Sequence, residues 1–305
     1  MKNKGLVSIL MNCYNSDLYL VEAIESVINQ SYTEWEIIFW DNQSTDNSAE
    51  IVRLYNDKRI KYYYATKHTA LYEARNCALK HCTGEYLAFL DCDDLWTSDK
   101  LFKQIKFLKE DNDVVLVHSN TIFFDTEKNI QKIANKKSKE SGYIFQKNIL
   151  KYQFSLETVV VKMAAIQDNG IDFDNRFNMI GDRDFLSTVC FYGKVQYIDE
   201  ILGKWRIHSN NFSKVLASSH PKELKIMYFR FKKRFGSRFN QEMRVGIYNE
   251  IVLRESLNIL KTDKVKARKH LGKIYFFNAK SLFIRLLSYL PFKFIAIVLQ
   301  PLIRL

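Results

Sequence analysis

Glycine, proline and cysteine are scarce in this sequence of 305 residues, and each shortage excludes a class of protein. The 10 glycines and 3 prolines are too few for a collagen-like or low-complexity chain. The five cysteines are odd in number and form no C-x-x-C pair, which argues against a disulfide framework and a zinc site. We expect buried free thiols in a reducing compartment.

Long hydrophobic runs and glycine-rich phosphate loops are also missing. Charged residues and prolines interrupt the apolar sequence of 281–305, whereas a membrane span needs about 20 apolar residues. The apolar run Leu6–Met11 is too short for a secretory signal and lacks a small-residue cleavage pattern. Neither G-x-G-x-x-G nor G-x-x-x-x-G-K-[ST] follows this run, so a phosphate-bearing substrate must be held by a metal or by cationic side chains.

Positive charge is concentrated at one end of the chain. The net charge is +12, and residues 221–305 contain 19 Lys and Arg against 5 Asp and Glu. Such a segment suits an anionic membrane surface or nucleic acid. Because cations and apolar residues are mixed over 261–305 and no nucleic-acid-binding motif is present, we expect an interfacial helix on an anionic membrane. The alternative is a helix packed on the protein with a solvated cationic face.

The first 118 residues alternate between apolar runs and amphipathic stretches. Strands are predicted at 6–11, 35–40, 60–64, 86–90 and 114–118. Helices are predicted at 17–29, from the end of the polar loop 41–46 to about 56, at 69–81 and at 98–110. This alternation predicts an α/β fold with a mainly parallel sheet flanked by helices on both faces. A looser half follows over 119–220, with a hairpin at 121–133, strands at 158–162 and 195–201 and a helix at 184–192, and a helical extension is expected over 221–305.

Three carboxylates follow the predicted strand at 86–90. Asp91, Asp93 and Asp94 lie within four positions, and such close carboxylates repel one another unless a cation or several donors are present. Oxygen ligands of this kind, together with substrate phosphates, suit Mg²⁺ or Mn²⁺. The alternative is a solvated acidic loop that caps the next helix.

Five segments share the order and spacing of a known family. They are Val7-Ser8-Ile9-Leu10-Met11-Asn12-Cys13-Tyr14-Asn15, Asp41-Asn42-Gln43-Ser44-Thr45-Asp46, Ala74-Arg75-Asn76, Gly84-Glu85-Tyr86 and Phe89-Leu90-Asp91-Cys92-Asp93-Asp94. Together they resemble the family 2 glycosyltransferases of bacterial surface-polysaccharide synthesis. The resemblance implies a Rossmann-like sheet of the A-type glycosyltransferase fold (GT-A) and inverting transfer from a nucleotide-sugar. It also implies a nucleotide-sugar-binding half at 1–118 and an acceptor-binding half at 119–220.

The resemblance also implies roles for individual residues on the donor side. Tyr14 would stack on the base, Asp41 would hydrogen-bond it, Arg75 would help hold the nucleotide, Asp91 would lie near the ribose and Asp93 would bind the metal. The plainer interpretations are a half-buried aromatic for Tyr14 and a helix-surface arginine for Arg75. The metal would be Mn²⁺ or Mg²⁺, and a UDP-sugar is the expected donor by family frequency alone.

Two pairs of residues depart from the family pattern on this side. Asn12-Cys13 replaces the usual Pro-Thr, and Asn42-Gln43 replaces the usual Asp-Gly. The second change removes a negative charge and a flexible glycine, so the shape of the base pocket is expected to differ.

The segment Gly181-Asp182-Arg183-Asp184 matches the position of the family's catalytic motif. Inverting displacement needs a base for the acceptor hydroxyl, and Asp182 matches it. Gly181 replaces the usual acid and Arg183 the usual aromatic residue; Arg183 would lower the pKa of Asp182 or bind an anionic acceptor. The alternative is that Asp182 or Asp184 only caps a helix.

A third segment, Trp205-Arg206-Ile207-His208, supplies further candidates. The resemblance implies that His208 reaches the metal or the diphosphate, and a neutral imidazole is a suitable metal ligand. Trp205 and Arg206 join Arg183 as residues expected on the acceptor side. A surface or satisfied core histidine and a core tryptophan are the simpler alternatives.

These features together predict a metal-assisted inverting glycosyltransferase with Asp182 as the general base. It would act on a glycan or lipid-linked glycan, as a cytoplasmic protein peripheral to the inner face of the cell membrane. Three alternatives stay open: a degenerate, inactive homologue, a Mg²⁺-dependent phosphatase built on Asp91-x-Asp93, and a basic nucleic-acid-binding protein. The phosphatase is disfavoured because such enzymes carry that motif on their first strand, and a nucleic-acid partner is not expected.

Overall fold

The computed structural model describes residues 3–125, 130–208, 218–260 and 262–275, together with Lys128 and Tyr289. These residues form two compact units. The first lies within 3–145, 152–175 and 181–208, and the second within 146–151, 176–180 and 218–289. Most of the expected interfacial segment 261–305 lies outside the described residues.

The strands and helices follow the alternation that the sequence predicts. The strands are β1 (Asn3–Cys13), β2 (Trp35–Asp41), β3 (Ile60–Tyr64), β4 (Gly84–Phe89), β5 (Leu95–Trp96), β6 (Val114–Asp125), β7 (Ile130–Ile133), β8 (Val160–Lys162) and β9 (Lys194–Arg206). The α-helices are α1 (Asp17–Ile28), α2 (Ser48–Arg53), α3 (Leu71–Leu79), α4 (Lys100–Glu110), α5 (Phe145–Leu150), α6 (Met163–Gln167), α7 (Gly181–Cys190), α8 (His220–Phe235), α9 (Gln241–Leu260) and α10 (Lys264–Leu271). Short 3₁₀ helices cover Leu156–Thr158 and Gly236–Arg238.

The described strands form one sheet in the order β3-β2-β1-β4-β8-β6-β9-β5, with β7 paired to β6. Strands β1 to β4 pair in parallel, and Cys13 at the end of β1 lies beside Asp41 at the end of β2. Strand β8 is antiparallel to both β4 and β6, while β6 and β9 pair in parallel. The loops after β1, β2 and β4 therefore leave the same edge of the sheet, where open α/β sheets bind ligands.

Both faces of the sheet are covered, as the sequence predicts. One face is buried by α1, α2 and α4, whose apolar residues join those of β1, β2 and β4 in one core. On the other face Phe89 of β4 contacts Phe173 and Phe185 edge-on, and these two rings stack 4.1 Å apart. The predicted α/β class with a mainly parallel sheet is thus confirmed.

Strands β6 and β9 are longer than predicted. The sequence predicts strands at 114–118 and 195–201, but the pairing continues to Phe124 and Arg206. Beyond 118 the extension first passes through three polar residues that are buried, Ser119, Asn120 and Thr121. Hydropathy missed residues 119 and 120 because long-range pairing, and not an apolar pattern, holds this part of the strand. The predicted hairpin at 121–133 is found as the antiparallel pair of β6 and β7.

The second unit is helical, as predicted for the region after Pro221. Its core contains Leu224, Met227 and Phe231 from α8 and Met243 from α9, all buried. Among the described residues, no helix is both long enough and apolar enough to cross a bilayer.

Candidate active site

The loop after β1 presents an exposed aromatic ring at the ligand-binding edge. Tyr14 is 50% exposed, and its ring centroid lies 4.3 Å from that of His68. The preceding residue, Cys13, is buried and lies beside Asp41 of β2. Tyr14 is therefore available for stacking on a base, and His68, which was not singled out from the sequence, supports its ring.

Asp41 lies behind this edge and not on it. Its side chain has no exposed surface; Tyr62 donates its hydroxyl hydrogen to Oδ2 at 2.6 Å, and the Ser44 N–H donates to Oδ1 at 2.7 Å. Both carboxylate oxygens thus accept hydrogen bonds from the protein, and the hydrogen bond to a base that the resemblance implies stays a prediction. Asp41 fixes the turn that follows β2.

The unusual residue Asn42 joins two loops of the pocket. Its amide nitrogen donates to the carbonyl oxygen of Thr69 at 2.8 Å, and its amide oxygen accepts from the N–H of Thr69 at 3.2 Å. His68 Nδ1 lies 2.9 Å from the backbone oxygen of Asn42. An ionised aspartate has no hydrogen to donate to Thr69, which explains why an amide serves at this position.

Gln43 occupies a backbone conformation that favours glycine. Its φ is +69°, in the left-handed region. The family pattern has a glycine at this position, and in this structure Gln43 keeps the glycine-like backbone conformation with a larger side chain. Gln43 Nε2 donates to the carbonyl oxygen of Ala65 at 3.3 Å, which partly offsets the strain.

Arg75 is a buried arginine that binds Asp91, the acid expected on the donor side. The guanidinium is 4% exposed and donates from Nη2 to Asp91 Oδ1 at 2.8 Å, while the Asp91 side chain is 43% exposed. Arg75 is therefore not a helix-surface arginine. It holds one carboxylate oxygen of Asp91 and leaves the rest of that carboxylate open to a ligand.

Asp93 and His208 come together although 115 residues separate them. His208 Nε2 lies 2.9 Å from Asp93 Oδ2, and both side chains are partly buried. Burial raises the pKa of Asp93, the charge of Asp91 raises it further, and the hydrogen bond to His208 opposes both. The extension of β9 beyond its predicted end is what brings His208 to the acid loop.

A divalent cation fits this pair. A carboxylate oxygen and an imidazole nitrogen, both metal-ligand atoms, already face each other at hydrogen-bond distance. Within the described ranges no group of three His, Cys, Asp or Glu side chains is arranged to hold a metal ion. Two protein ligands suffice where substrate phosphates supply the others, as is usual for Mg²⁺.

Arg206 lies beneath the acid loop. It is 1% exposed; its backbone N–H donates to Asp94 Oδ1 at 2.9 Å and its Nε–H to the backbone oxygen of Asp93 at 3.0 Å. Its guanidinium lies between the rings of Tyr19 and Phe124, 4.1 and 4.5 Å from their centroids. In this structure the side chain positions the loop that carries Asp93, and its expected role on the acceptor side stays a prediction.

Asp94 belongs to the buried framework. It is 3% exposed, and burial raises the pKa of its carboxyl well above the usual value, with further contributions from Glu157, Asp93 and Asp91. Helix α4 takes Asp99 as its N-cap residue, so the acid loop is not the cap of the next helix. Only Asp91 and Asp93 of the three acids keep surface for a ligand.

Asp182 lies at the start of α7 beside Tyr72. Burial raises the pKa of Asp182, while the charge of Arg75 and the backbone N–H of Arg183 lower it. Tyr72, which is 2% exposed, donates its hydroxyl hydrogen to Asp182 Oδ1 at 3.3 Å. Asp182 is thus a desolvated carboxylate within the influence of the same guanidinium that binds Asp91.

Tyr72 also explains the unusual glycine before Asp182. A Cβ at Gly181 would lie 2.7 Å from three ring carbons of Tyr72, closer than real contacts allow. The ring fills the space next to the position where the family's usual acid would begin its side chain. Tyr72 was missed from the sequence because it lies on α3, 109 residues before Gly181.

The remaining acceptor-side candidates differ in exposure. Arg183 is 6% exposed, and its guanidinium carbon lies 5.9 Å from the Tyr152 ring centroid. Among the largest contributions to the pKa of Asp182, the charge of Arg75 lowers it and Arg183 lowers it through its backbone N–H. Trp205 is half-buried and contacts Phe123 edge-on at 5.0 Å, so part of it stays available to an acceptor.

The first unit therefore presents, at one sheet edge, an open aromatic ring, an ion-paired carboxylate, a carboxylate–imidazole pair and a partly buried carboxylate. The family model described as "Glycosyl transferase family 2" matches residues 8–170. The chain belongs to this family. The matched range contains Tyr14, Arg75, Asp91 and Asp93, and ends before Asp182 and His208.

Curated relatives carry the same family description. An uncharacterized glycosyltransferase of Haemophilus influenzae is 38% identical over 169 residues, covering 54% of this chain and 65% of that protein. The Escherichia coli protein WfgD, a UDP-Glc:alpha-D-GlcNAc-diphosphoundecaprenol beta-1,3-glucosyltransferase, is 39% identical over 107 residues, covering 35% of this chain and 42% of that protein. The chain spans less than two thirds of the length of either relative.

Solved structures show the same fold. The TarS fragment 1–349 of S. aureus, in complex with UDP-GlcNAc, has a TM-score of 0.59 at 17% identity and covers 92% of this chain and 90% of the other. The mannosyltransferase PcManGT of Pyrobaculum calidifontis, in complex with GDP-Man and Mn²⁺, has a TM-score of 0.62 at 16% identity and covers 98% and 81%. At these identities the likeness establishes the GT-A type fold alone, which confirms the predicted architecture.

Proposed function

We propose that the chain transfers a sugar, with inversion, from a nucleotide-sugar to a hydroxyl of a glycan or lipid-linked glycan. The observation that carries this proposal is the arrangement around Arg75. Its guanidinium binds Asp91 at 2.8 Å and lowers the pKa of Asp182 through its charge. A donor-side carboxylate and a candidate base therefore lie within the electrostatic influence of one cation.

On the donor side, Tyr14 stacks on the base and the open part of the Asp91 carboxylate accepts hydrogen bonds from the ribose. Asp93 and His208 would hold Mn²⁺ or Mg²⁺. When bound, such an ion neutralises negative charge on the diphosphate that leaves. Arg206 holds the backbone of the acid loop, so that the Asp93 carboxylate faces the same edge as Tyr14.

On the acceptor side, Asp182 acts as the general base. The acceptor oxygen attacks the anomeric carbon, its proton passes to Asp182, and the bond from that carbon to the diphosphate breaks. A single displacement of this kind inverts the configuration. The raised pKa of Asp182 makes it a stronger base than an exposed aspartate.

A UDP-sugar is the proposed donor, and a lipid-linked glycan is the proposed acceptor. The TarS fragment was solved with UDP-GlcNAc, and WfgD transfers glucose from UDP-Glc to a diphosphoundecaprenol-linked sugar. An acceptor of that kind lies at a membrane, so we propose a cytoplasmic protein peripheral to the inner face. Trp205 would then form part of the wall for the acceptor sugar.

The test compares the wild-type protein with Asp182→Asn. Thermal-shift measurements with UDP-Glc, UDP-GlcNAc and GDP-Man in the presence of Mn²⁺ identify the donor, because a ligand at 100 times its Kd adds about 2.7 kcal/mol of stability. The Asn variant should keep the donor-dependent shift and lose about 10² to 10⁴ in kcat for transfer.

Two results would contradict this proposal. Transfer by D182N at the wild-type rate would exclude Asp182 as the base. A wild-type protein that is stabilised by no nucleotide-sugar and transfers none would favour the degenerate homologue.

A further inference from the structure

The second unit carries a cleft of about 520 Å³ on its surface, and no residue of the proposed reaction lines it. Six side chains line it: Arg176, Ile226, Phe229, Arg230, Lys233 and Arg234. Four of the six are cations, and among the described residues no acidic side chain joins the lining. Such a surface favours an anionic ligand that has an apolar part.

Helix α8 places most of this lining on one face. The residues Ile226, Phe229, Arg230 and Lys233 recur at the i, i+3, i+4, i+7 spacing of a single helix stripe. Phe229 is 65% exposed, whereas Phe231 of the same helix is fully buried in the core. An exposed phenylalanine beside several cations on one helix face is typical of helices that lie in a membrane interface.

Arg176 is held rigidly next to this face by a buried carboxylate. Glu223 of α8 is 2% exposed and accepts the backbone N–H groups of Asn178, Met179 and Ile180 at 3.0 to 3.1 Å. These bonds fasten the segment 176–180 to the helix. The fourth cation of the cleft therefore comes from a separate segment with a fixed position.

Helix electrostatics explain only part of this positive charge. Lys232, Lys233 and Arg234 lie in the last turn of α8, where cations complement the helix dipole. Dipole compensation does not require Phe229 to be exposed, nor Arg176 to be added from another segment. The three arginines also have partners within the protein, so the inference rests on the density of charge and not on an unpaired guanidinium.

We propose that this cleft binds the phosphate of an anionic phospholipid at a membrane surface. Arginine presents a planar fork of donors that matches phosphate oxygens, and Lys233 adds a point charge. Phe229 enters the interface beside the bound headgroup. The inference deepens the proposed peripheral location by naming a binding site, and it does not depend on glycosyl transfer.

Adjacent lysines of α8 supply a matched pair of variants for the test. Lys233 lines the cleft, whereas Lys232, also exposed, lies about 100° away around the helix and does not line it. Binding of the full chain is measured by sedimentation with phosphatidylcholine vesicles, with and without phosphatidylglycerol. No donor or acceptor is present, so the result is independent of catalysis.

We expect the wild-type protein to bind only the vesicles that contain phosphatidylglycerol. Lys233→Glu should weaken this binding about fivefold or more, since each cation near an anionic surface contributes about fivefold in affinity. Lys232→Glu, with the same net charge, should weaken it less than about threefold. Phe229→Ser should weaken it without changing the charge, and an unchanged thermal midpoint shows that each variant folds.

Three results would overturn the proposal. Equal losses in K233E and K232E would mean that net charge alone drives binding, and unaltered binding by both K233E and F229S would place the membrane contact elsewhere. If K233E weakened the binding of inorganic pyrophosphate in calorimetry but left vesicle binding intact, the cleft would be a site for a soluble phosphate and not for a lipid.

Discussion

Two aspartates of the candidate active site are influenced by one arginine and have opposite environments. Asp91 is 43% exposed at the end of β4 and pairs directly with Arg75. Asp182 lies at the start of α7 among aromatic rings, and burial raises its pKa although the charge of Arg75 lowers it. The same residue type is thus suited to hydrogen-bond a donor in one place and to take a proton in the other, because environment and not identity sets the chemistry of a carboxylate.

The largest effect is expected from Asp93→Ala, which tests the donor half of this contrast. The variant should lose about 100-fold or more in transfer, together with the Mn²⁺-dependent part of the donor's thermal shift, because it removes the carboxylate proposed to hold the metal. Asp182→Asn should keep that shift. If both variants lost the Mn²⁺-dependent thermal shift, or if neither did, the assignment of Asp93 to the donor side and of Asp182 to the acceptor side would be contradicted.

Removing Arg75 should disturb both carboxylates at once. Proton transfer requires ionised Asp182, so kcat/KM should fall as the pH falls through the pKa of Asp182. Because burial raises this pKa, the acid limb of the pH profile should lie above the pKa of an ordinary aspartate, about 4. Arg75→Met removes a charge that lowers this pKa, so the limb should move up by about one unit or more, and the donor KM should rise. A higher KM with an unmoved limb would confine Arg75 to the donor side.

A smaller effect is expected from Tyr72→Phe, which sharpens the comparison on the base side alone. Loss of the hydroxyl hydrogen bond to Asp182 should reduce kcat about threefold to tenfold and move the acid limb of the pH profile upward, while the donor KM stays unchanged. The phenyl ring keeps the packing against Gly181. A changed KM with an unmoved limb would show that Tyr72 only supports the fold.

The smallest effect concerns stability on the donor side. Gln43→Gly should raise the free energy of unfolding by about 0.5 to 1 kcal/mol in urea denaturation, because glycine adopts a φ of +69° without a Cβ penalty. Gln43→Ala keeps the Cβ and loses the amide hydrogen bond, so it should be destabilising. If Gly also destabilises, the hydrogen bond to Ala65 outweighs the backbone strain.

Predictions from local pattern were most accurate in the parallel half of the sheet. Strand β3 has the predicted bounds, and β1, β2 and β4 differ by a few residues at their ends. The less accurate predictions concern burial of polar residues. Asp41 and Arg206 belong to segments that resemble the family's functional motifs, yet both are enclosed, because neighbouring chain segments and not their own sequence decide how much surface they keep.

The sequence by itself determined the fold class, the position of the acid loop after β4 and the candidate carboxylates. Each follows from apolar periodicity or from the spacing of a local motif, which short-range geometry converts directly into structure. Only the tertiary structure decided that His208 reaches Asp93, that Arg75 binds Asp91 while its charge also acts on Asp182, and that Tyr72 fills the space beside Gly181. Those contacts join residues 16 to 115 positions apart, and they arise from strand pairing and ring packing that no local pattern encodes.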